Sequence, residues 1–191
     1  MLHRLSPLAL VAALVVATPA SAADYAIDTK GAHASINFRV NHLGFSWLTG
    51  RFDTFGGTFS YDASAPEASK VSVEIDTNSV NSNHAERDKH LRNEDFLDVS
   101  KFPKATFVSK SVEPAGEGKA KIVGDFTLRD VTKEIAIDAE FVGSGSDPWG
   151  GERAGFKGTT TLTLADYGIT FDLGPAGKEV YLDLHVEGVK Q

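Results

Sequence analysis

The sequence predicts an all-β antiparallel domain of about eight strands with one short helical insertion, and three observations carry that reading. Apolar and polar residues alternate with period two through most of the chain, as they do in strands buried on one face. Gly, Ser, Thr, Asn and Asp recur at short intervals between the alternating runs, where turns must fall. One stretch, Asn81 to Phe102, abandons the alternation and is dense in charge instead.

The chain of 191 residues opens with a segment outside this pattern. Arg4 supplies a positive start, Leu8 to Ala17 is an apolar run too short to cross a bilayer, and Thr18-Pro19-Ala20-Ser21-Ala22 ends in the small-x-small pattern of a signal-peptidase site. Residues 1–22 are therefore expected to be a signal peptide cleaved after Ala22. Residues 23–191 are then one exported domain, long enough to bury a sizeable core.

Tyr25 to Asp28 reads as a short first strand. Ala34, Ile36, Phe38 and Val40 alternate with Ser35, Asn37, Arg39 and Asn41 in the next, and Phe55, Gly57, Phe59 and Tyr61 share one face of its expected hairpin partner. Between them HLGFSWLTGRF carries Leu43, Phe45, Trp47, Leu48 and Phe52, too many apolar groups for an exposed loop. This turn is expected to bury itself as a plug or lid over one end of a sheet, with core or homodimer contact as the alternatives for Phe45, Trp47 and Phe52.

Val71, Val73 and Ile75 form the following strand. Asn83 to Arg92 is expected to be a helix, with Asn83 capping and Glu86 three residues on in a capping-box spacing. Asn93 caps a second short turn bearing Phe96 and Leu97, and Pro103 closes it. Strands follow at Ala105 to Lys110, Lys119 to Leu128, Lys133 to Val142, Phe156 to Leu164 and Val180 to Val186. The loop over 143–151, GSGSDPWGG, holds one large apolar anchor, Trp149.

Eight such strands in meander order close either as a barrel or as a sandwich. Small residues on the inward faces, Gly57, Ala120, Gly124, Ala139, Gly158 and Thr160, suit an internal cavity, and glycines at barrel corners and bulges give the same pattern without one. The charge balance is acidic: 19 Lys and Arg, of which Arg4 leaves with the signal peptide, stand against 26 Asp and Glu. That disfavours nucleic acid and anionic membrane surfaces as partners. With no cysteine, disulfides, thiol nucleophiles and thiolate metal sites are excluded. His84 and Asp88 stand four apart on the expected helix, but no further ligand at matching spacing follows, so no metal is expected. No GxSxG elbow, P-loop or dinucleotide fingerprint is present, and no enzyme is expected.

Four stretches in register, HASINFRVNHLGFSWLTGRF, NHAERDKHLRNEDFLDVSKFPKATF, GDFTLRDVTKEI and DPWGGERAGF, resemble the YceI-like family of periplasmic, lipocalin-like proteins that bind polyisoprenoid lipids. The resemblance covers essentially the whole mature chain. It implies an eight-stranded lipocalin-like barrel with one or two short helices covering an end. It also implies a non-enzymatic binding or transport function, with a long-chain isoprenoid, a polyprenyl phosphate or a quinone-like molecule, held in the barrel interior. Members are often described as stress-responsive, and some occur beside or fused to di-haem cytochrome b membrane proteins. The alternative implied is thus a redox accessory that presents a quinone to such a partner.

Strands of roughly 8 to 10 residues rise about 3.3 Å per residue, so tilted strands make a barrel on the order of 25 Å deep. The candidates for its apolar tube are Ile36, Phe38, Val40, Phe59, Val73, Ile75, Phe107, Ile122, Phe126, Ile135, Ile137, Phe141, Phe156, Leu162, Leu182 and Leu184, many of them expected to be plain core. A phosphate head group needs donors. The candidates are His33, Arg39, His42, Arg51, His84 and His90, which ring the mouth if the helix and the wide turn cap the same end. Arg87 and Arg92 are expected instead to pair with Glu86, Asp88, Glu94 and Asp95 on a solvated face.

Overall fold

The computed structural model describes residues 22–191, so the expected signal peptide, apart from Ala22, lies outside the described residues. The strands are β1 (Ala23–Ile27), β2 (Ser35–His42), β3 (Ser46–Phe52), β4 (Phe55–Tyr61), β5 (Lys70–Asp76), β6 (Val80–Asn81), β7 (Lys104–Gly116), β8 (Lys119–Leu128), β9 (Val131–Ser146), β10 (Glu152–Thr163) and β11 (Glu179–Lys190), with one α-helix, α1 (Ala85–Leu91), among the described residues. Eight of these strands pair antiparallel into a closed ring, β1-β4-β5-β7-β8-β9-β10-β11, in which β11 returns to β1 with Ile27 opposite Gly188. A closed ring leaves no row of unpaired backbone groups at an edge.

The three remaining strands extend the same wall. β1 and β2 lie one after the other along β11, the second with Ser35 opposite His185. β4 pairs with β1 while β3 pairs with β2, and β6 continues β5 to pair with β3. The first three wall positions are thus single strands, each broken once, at 28–34, 53–54 and 77–79.

This arrangement overturns the expected hairpin between 34–41 and 55–61. β2 pairs instead with β3, Val40 opposite Leu48 and Asn41 opposite Trp47, around a tight turn in which Leu43 and Gly44 take positive φ. The stretch read as a plug or lid is itself a strand, because Trp47, Thr49 and Arg51 alternate with Leu48, Gly50 and Phe52. Its apolar groups are not gathered into a plug. Phe45 at the tip is 87% exposed, and Trp47 stands edge-on to Tyr181 at 5.4 Å with the Arg39 guanidinium over both rings.

One end of the barrel is filled from the side chains inward. Phe96, Leu128, Tyr167 and Ile169 are buried there with Ile36, Ile75, Ala105, Phe107, Phe126, Ile137 and Leu162, and Leu91 and Leu97 pack against them. Burial pushes the Tyr167 hydroxyl up to about 12, so it stays neutral inside this plug. The helix that contributes to it is shorter than expected. Asn83 has φ 60° and cannot cap, and the N-cap is His84, whose Nδ1 accepts from the Arg87 amide at 3.2 Å. Arg87 and Arg92 do not rely on acidic partners: Arg87 donates to the Ser82 hydroxyl and carbonyl at 2.8 and 2.6 Å, and Arg92 to the carbonyls of Asn78 and Val80 at 2.7 and 2.6 Å. They fasten the helix to β6.

Candidate binding cavity

The inward faces of the ring strands do not meet in the middle. They enclose a cavity of about 490 Å³, within the range of roughly 300–1,000 Å³ typical of small-molecule sites. Ile36, Val71, Val73, Ile75, Phe107, Ile122, Phe126, Ile135, Ile137, Leu182, Leu184 and Val186 make its wall, and at one end it stops against the plug of Phe96, Leu128 and Tyr167. At the other end it reaches the β4–β5 connection (Tyr61, Ala63, Pro66, Ser69) and the β7–β8 turn (Pro114, Gly116, Glu117, Gly118, Lys119). The cavity is therefore blind, with its mouth between those two loops. Just inside lies an aromatic collar, in which Tyr61 stacks on Phe141 at 5.5 Å and stands edge-on to Phe156 at 5.1 Å, while Phe59 meets Phe156 at 5.5 Å.

The small inward residues divide into two kinds. Ala120, Ala139, Gly158 and Thr160 do line the cavity. Gly124 instead makes space for a neighbouring ring: a Cβ there would sit 2.6 Å from the Phe107 ring and 2.5 Å from the Val108 carbonyl. Glycine covered by a cross-strand aromatic is a packing device, not a void.

Thirteen of the sixteen expected tube residues line the cavity. Phe38, Val40 and Leu162 do not: Phe38 lies over Gly50 of β3, Val40 faces Leu48 across the same pair, and Leu162 belongs to the plug. Sequence reasoning missed Val71, Val112 and Val186, although the first and last continue the alternation of Val73 and Leu184.

None of the six residues expected to hold a head group lines the cavity. Arg51 pairs with Asp53 at 2.6 Å, His90 with Asp95 at 3.1 Å, His84 caps α1, Arg39 covers Trp47, and His42 is exposed beside the β2–β3 turn. The helix segment and this turn do share an end, bridged by the loop where Phe171 meets Phe96 and Gly174 approaches Leu43. That end is the plugged one. His33 lies elsewhere, 3.0 Å from Asp28 and 3.6 Å from Glu187. These three could be taken for metal ligands, but the Arg153 guanidinium already stands between the carboxylates, 2.7 Å from Asp28 and 2.6 Å from Glu187.

Arg153 also reaches Asp147 at 2.7 Å, and Asp147 accepts the amides of Trp149 and Gly151. This fixes the β9–β10 turn. Trp149, expected as an apolar anchor, is 81% exposed on it.

Known proteins share this architecture. A UPF0312 protein of Shewanella sp. (strain ANA-3) is 61% identical over 178 residues, 93% of each chain, and a UPF0312 protein of Ectopseudomonas mendocina is 61% identical over 172 residues, 90% of each. Among solved structures, a Campylobacter jejuni YceI protein matches with TM-score 0.71 and 29% identity over 80% of this chain and 90% of its own. A polyisoprenoid-binding domain from Saccharophagus degradans has the same fold, with TM-score 0.62 and 15% identity over 90% of this chain and all of its own. The model of the YceI-like domain matches residues 25–188, nearly the whole described barrel, and the chain belongs to the YceI-like family.

Proposed function

We propose that this protein is a non-enzymatic carrier of the periplasm that holds the tail of an isoprenoid lipid inside its barrel. The observation that carries the reading is the blind cavity of about 490 Å³ with an almost wholly apolar wall. Such a space binds by removing a chain from water, at about 25 cal/mol per Å² of apolar area, and offers no constellation of polar groups converging on a reacting bond. The polyisoprenoid binding named for the Saccharophagus degradans domain supports the choice of ligand class. The signal-peptide pattern at residues 1–22 supports export.

The test is mass spectrometry of the protein isolated gently from its own host, under native and then denaturing conditions, with solvent extraction of what is released. A defined isoprenoid at near one-to-one stoichiometry is expected. A protein that arrives empty and takes up neither polyprenyl lipids nor quinones would sink the carrier reading. The quinone-presenting accessory role uses the same cavity and differs in its partner, so it requires, besides a quinone in the extract, binding to a membrane cytochrome b-type protein.

A further inference from the structure

The β9–β10 hairpin stands above the mouth of the cavity. β8 begins at Lys119, opposite Glu140, whereas β9 runs on to Ser146 and β10 starts only at Glu152. At about 3.3 Å per residue, that leaves on the order of 20 Å of hairpin beyond the β7–β8 turn. Phe141 and Phe156 of the aromatic collar pair at its root, and Trp149 is at its tip.

The tip is tied down, and its polar groups are satisfied from within. The Asp147 carboxylate accepts the amides of Trp149 and Gly151 at 2.9 and 2.8 Å, and the Asp147 amide donates to the Gly151 carbonyl at 2.8 Å. The only charges between 142 and 152 are Asp147 and Glu152. The first is paired with Arg153, the second with Lys190 at 2.5 Å. A turn whose amides and charges are answered internally loses little on leaving water, and an exposed tryptophan ring gains by it.

Charge decides the kind of surface. The other two loops at the mouth set Asp62, Glu67, Glu113 and Glu117 against Lys70 and Lys119, so this end has no excess of cations for anionic lipids. It fits the interface of a zwitterionic bilayer, where a tryptophan ring is favoured at head-group level. The cavity opens at this same end, and an isoprenoid tail is itself dissolved in a bilayer. Leu43, Phe45 and Phe171 are also exposed, but at the plugged end, where docking would hold the mouth away from the lipid.

Resting on the carrier reading above, we propose that the β9–β10 hairpin is a membrane anchor. Trp149 seats in the head-group layer of a zwitterionic bilayer and brings the mouth against it, so that cargo passes between bilayer and barrel without crossing water.

The two tryptophans of the chain mark opposite ends, Trp149 the mouth and Trp47 the plug, so each end carries its own probe. Trp47→Phe and Trp149→Phe each leave one of them. Both variants are mixed with phosphatidylcholine and phosphatidylethanolamine vesicles whose acyl chains are brominated near the head group. Emission from Trp149 is expected to move to shorter wavelength and be quenched, and emission from Trp47 to stay as it is in buffer. Trp149→Ala is expected to bind the vesicles about tenfold more weakly and to take ubiquinone from them correspondingly slowly. From detergent micelles it fills to the wild-type stoichiometry, which shows that it is folded. Quenching of Trp47, or of neither tryptophan, overturns the anchor, as does uptake from vesicles by Trp149→Ala at the wild-type rate. A wild type that takes neither ubiquinone nor a polyprenyl phosphate from vesicles or micelles overturns the carrier reading, while the quenching, which needs no cargo, still decides the anchor.

Discussion

Arg153 meets three carboxylates, and the order of chain it ties together is long: Asp28 after β1, Asp147 in the β9–β10 turn and Glu187 in β11. Its hydrogen bonds, helped by the Gly31 amide at Asp28 and the Gly151 amide at Asp147, hold both carboxyls below their ordinary value of 3.8. A carboxyl depressed in the folded state stabilises above its ordinary value and loses that contribution as pH falls through the folded value. Arg153→Gln is therefore expected to lower the thermal midpoint at pH 7. The gap between variant and wild type should narrow below about pH 4, because the wild type then loses what the variant never had. Thermal melts at pH 7 and pH 3 check it; a gap of constant size would refute the role of the cluster. The cluster was not visible in the sequence: Asp147 is local to the β9–β10 turn, but Glu187 comes alongside through the β10–β11 pairing and Asp28 only through ring closure.

At the level of single elements, what was legible depended on whether the period-two alternation was diluted. β2, β5, β8 and the strands from β9 to β11 show it plainly, and they were expected where they lie. β3 was missed because Leu43, Phe45, Trp47, Leu48 and Phe52 crowd the ten residues 43–52 with apolar surface, and apolar density says nothing about which face each group takes. Trp149 failed in the same way: a large apolar side chain in a loop can as well be displayed as buried. β8 gives the sharpest test of how closely the wall is packed. Gly124→Val would drive its side chain into the Phe107 ring and the Val108 carbonyl, and about 1–3 kcal/mol of stability is expected to be lost, the usual range for overpacking. Urea unfolding measures it, and a loss below about 0.5 kcal/mol would mean that the Phe107 ring moves aside freely.

For the molecule as a whole, the barrel wall was readable and the mouth was not. Ile75, Phe107, Phe126 and Leu184 declare an interior by alternation alone, whereas the mouth is made by the β4–β5 connection and the β7–β8 turn, loops that strand pairing brings to one end of the cavity. The interior also has a thermodynamic consequence. A ligand that binds only the folded barrel adds about 2.7 kcal/mol at a hundredfold excess over its Kd, so stripping bound lipid is expected to lower the thermal midpoint by about 5–10 °C for a chain of this size, with recovery on adding the lipid back. An identical midpoint before and after extraction would indicate that nothing of consequence had been bound.

The ring is shut by its first and last strands, Tyr25 opposite Lys190 and the Gln191 amide on the Asp24 carbonyl at 2.9 Å. Pairing residues so far apart in the chain requires nearly all the loop-closure entropy to be met before the closing contacts reward it. While β11 is still being synthesised, β1, β2 and β10 each lack a partner and the barrel is an open, unfinished sheet. A barrel of this topology cannot complete itself early. Closure therefore waits for the last strand, and a chain cut within β11 is left with the exposed strand edges that the complete ring conceals.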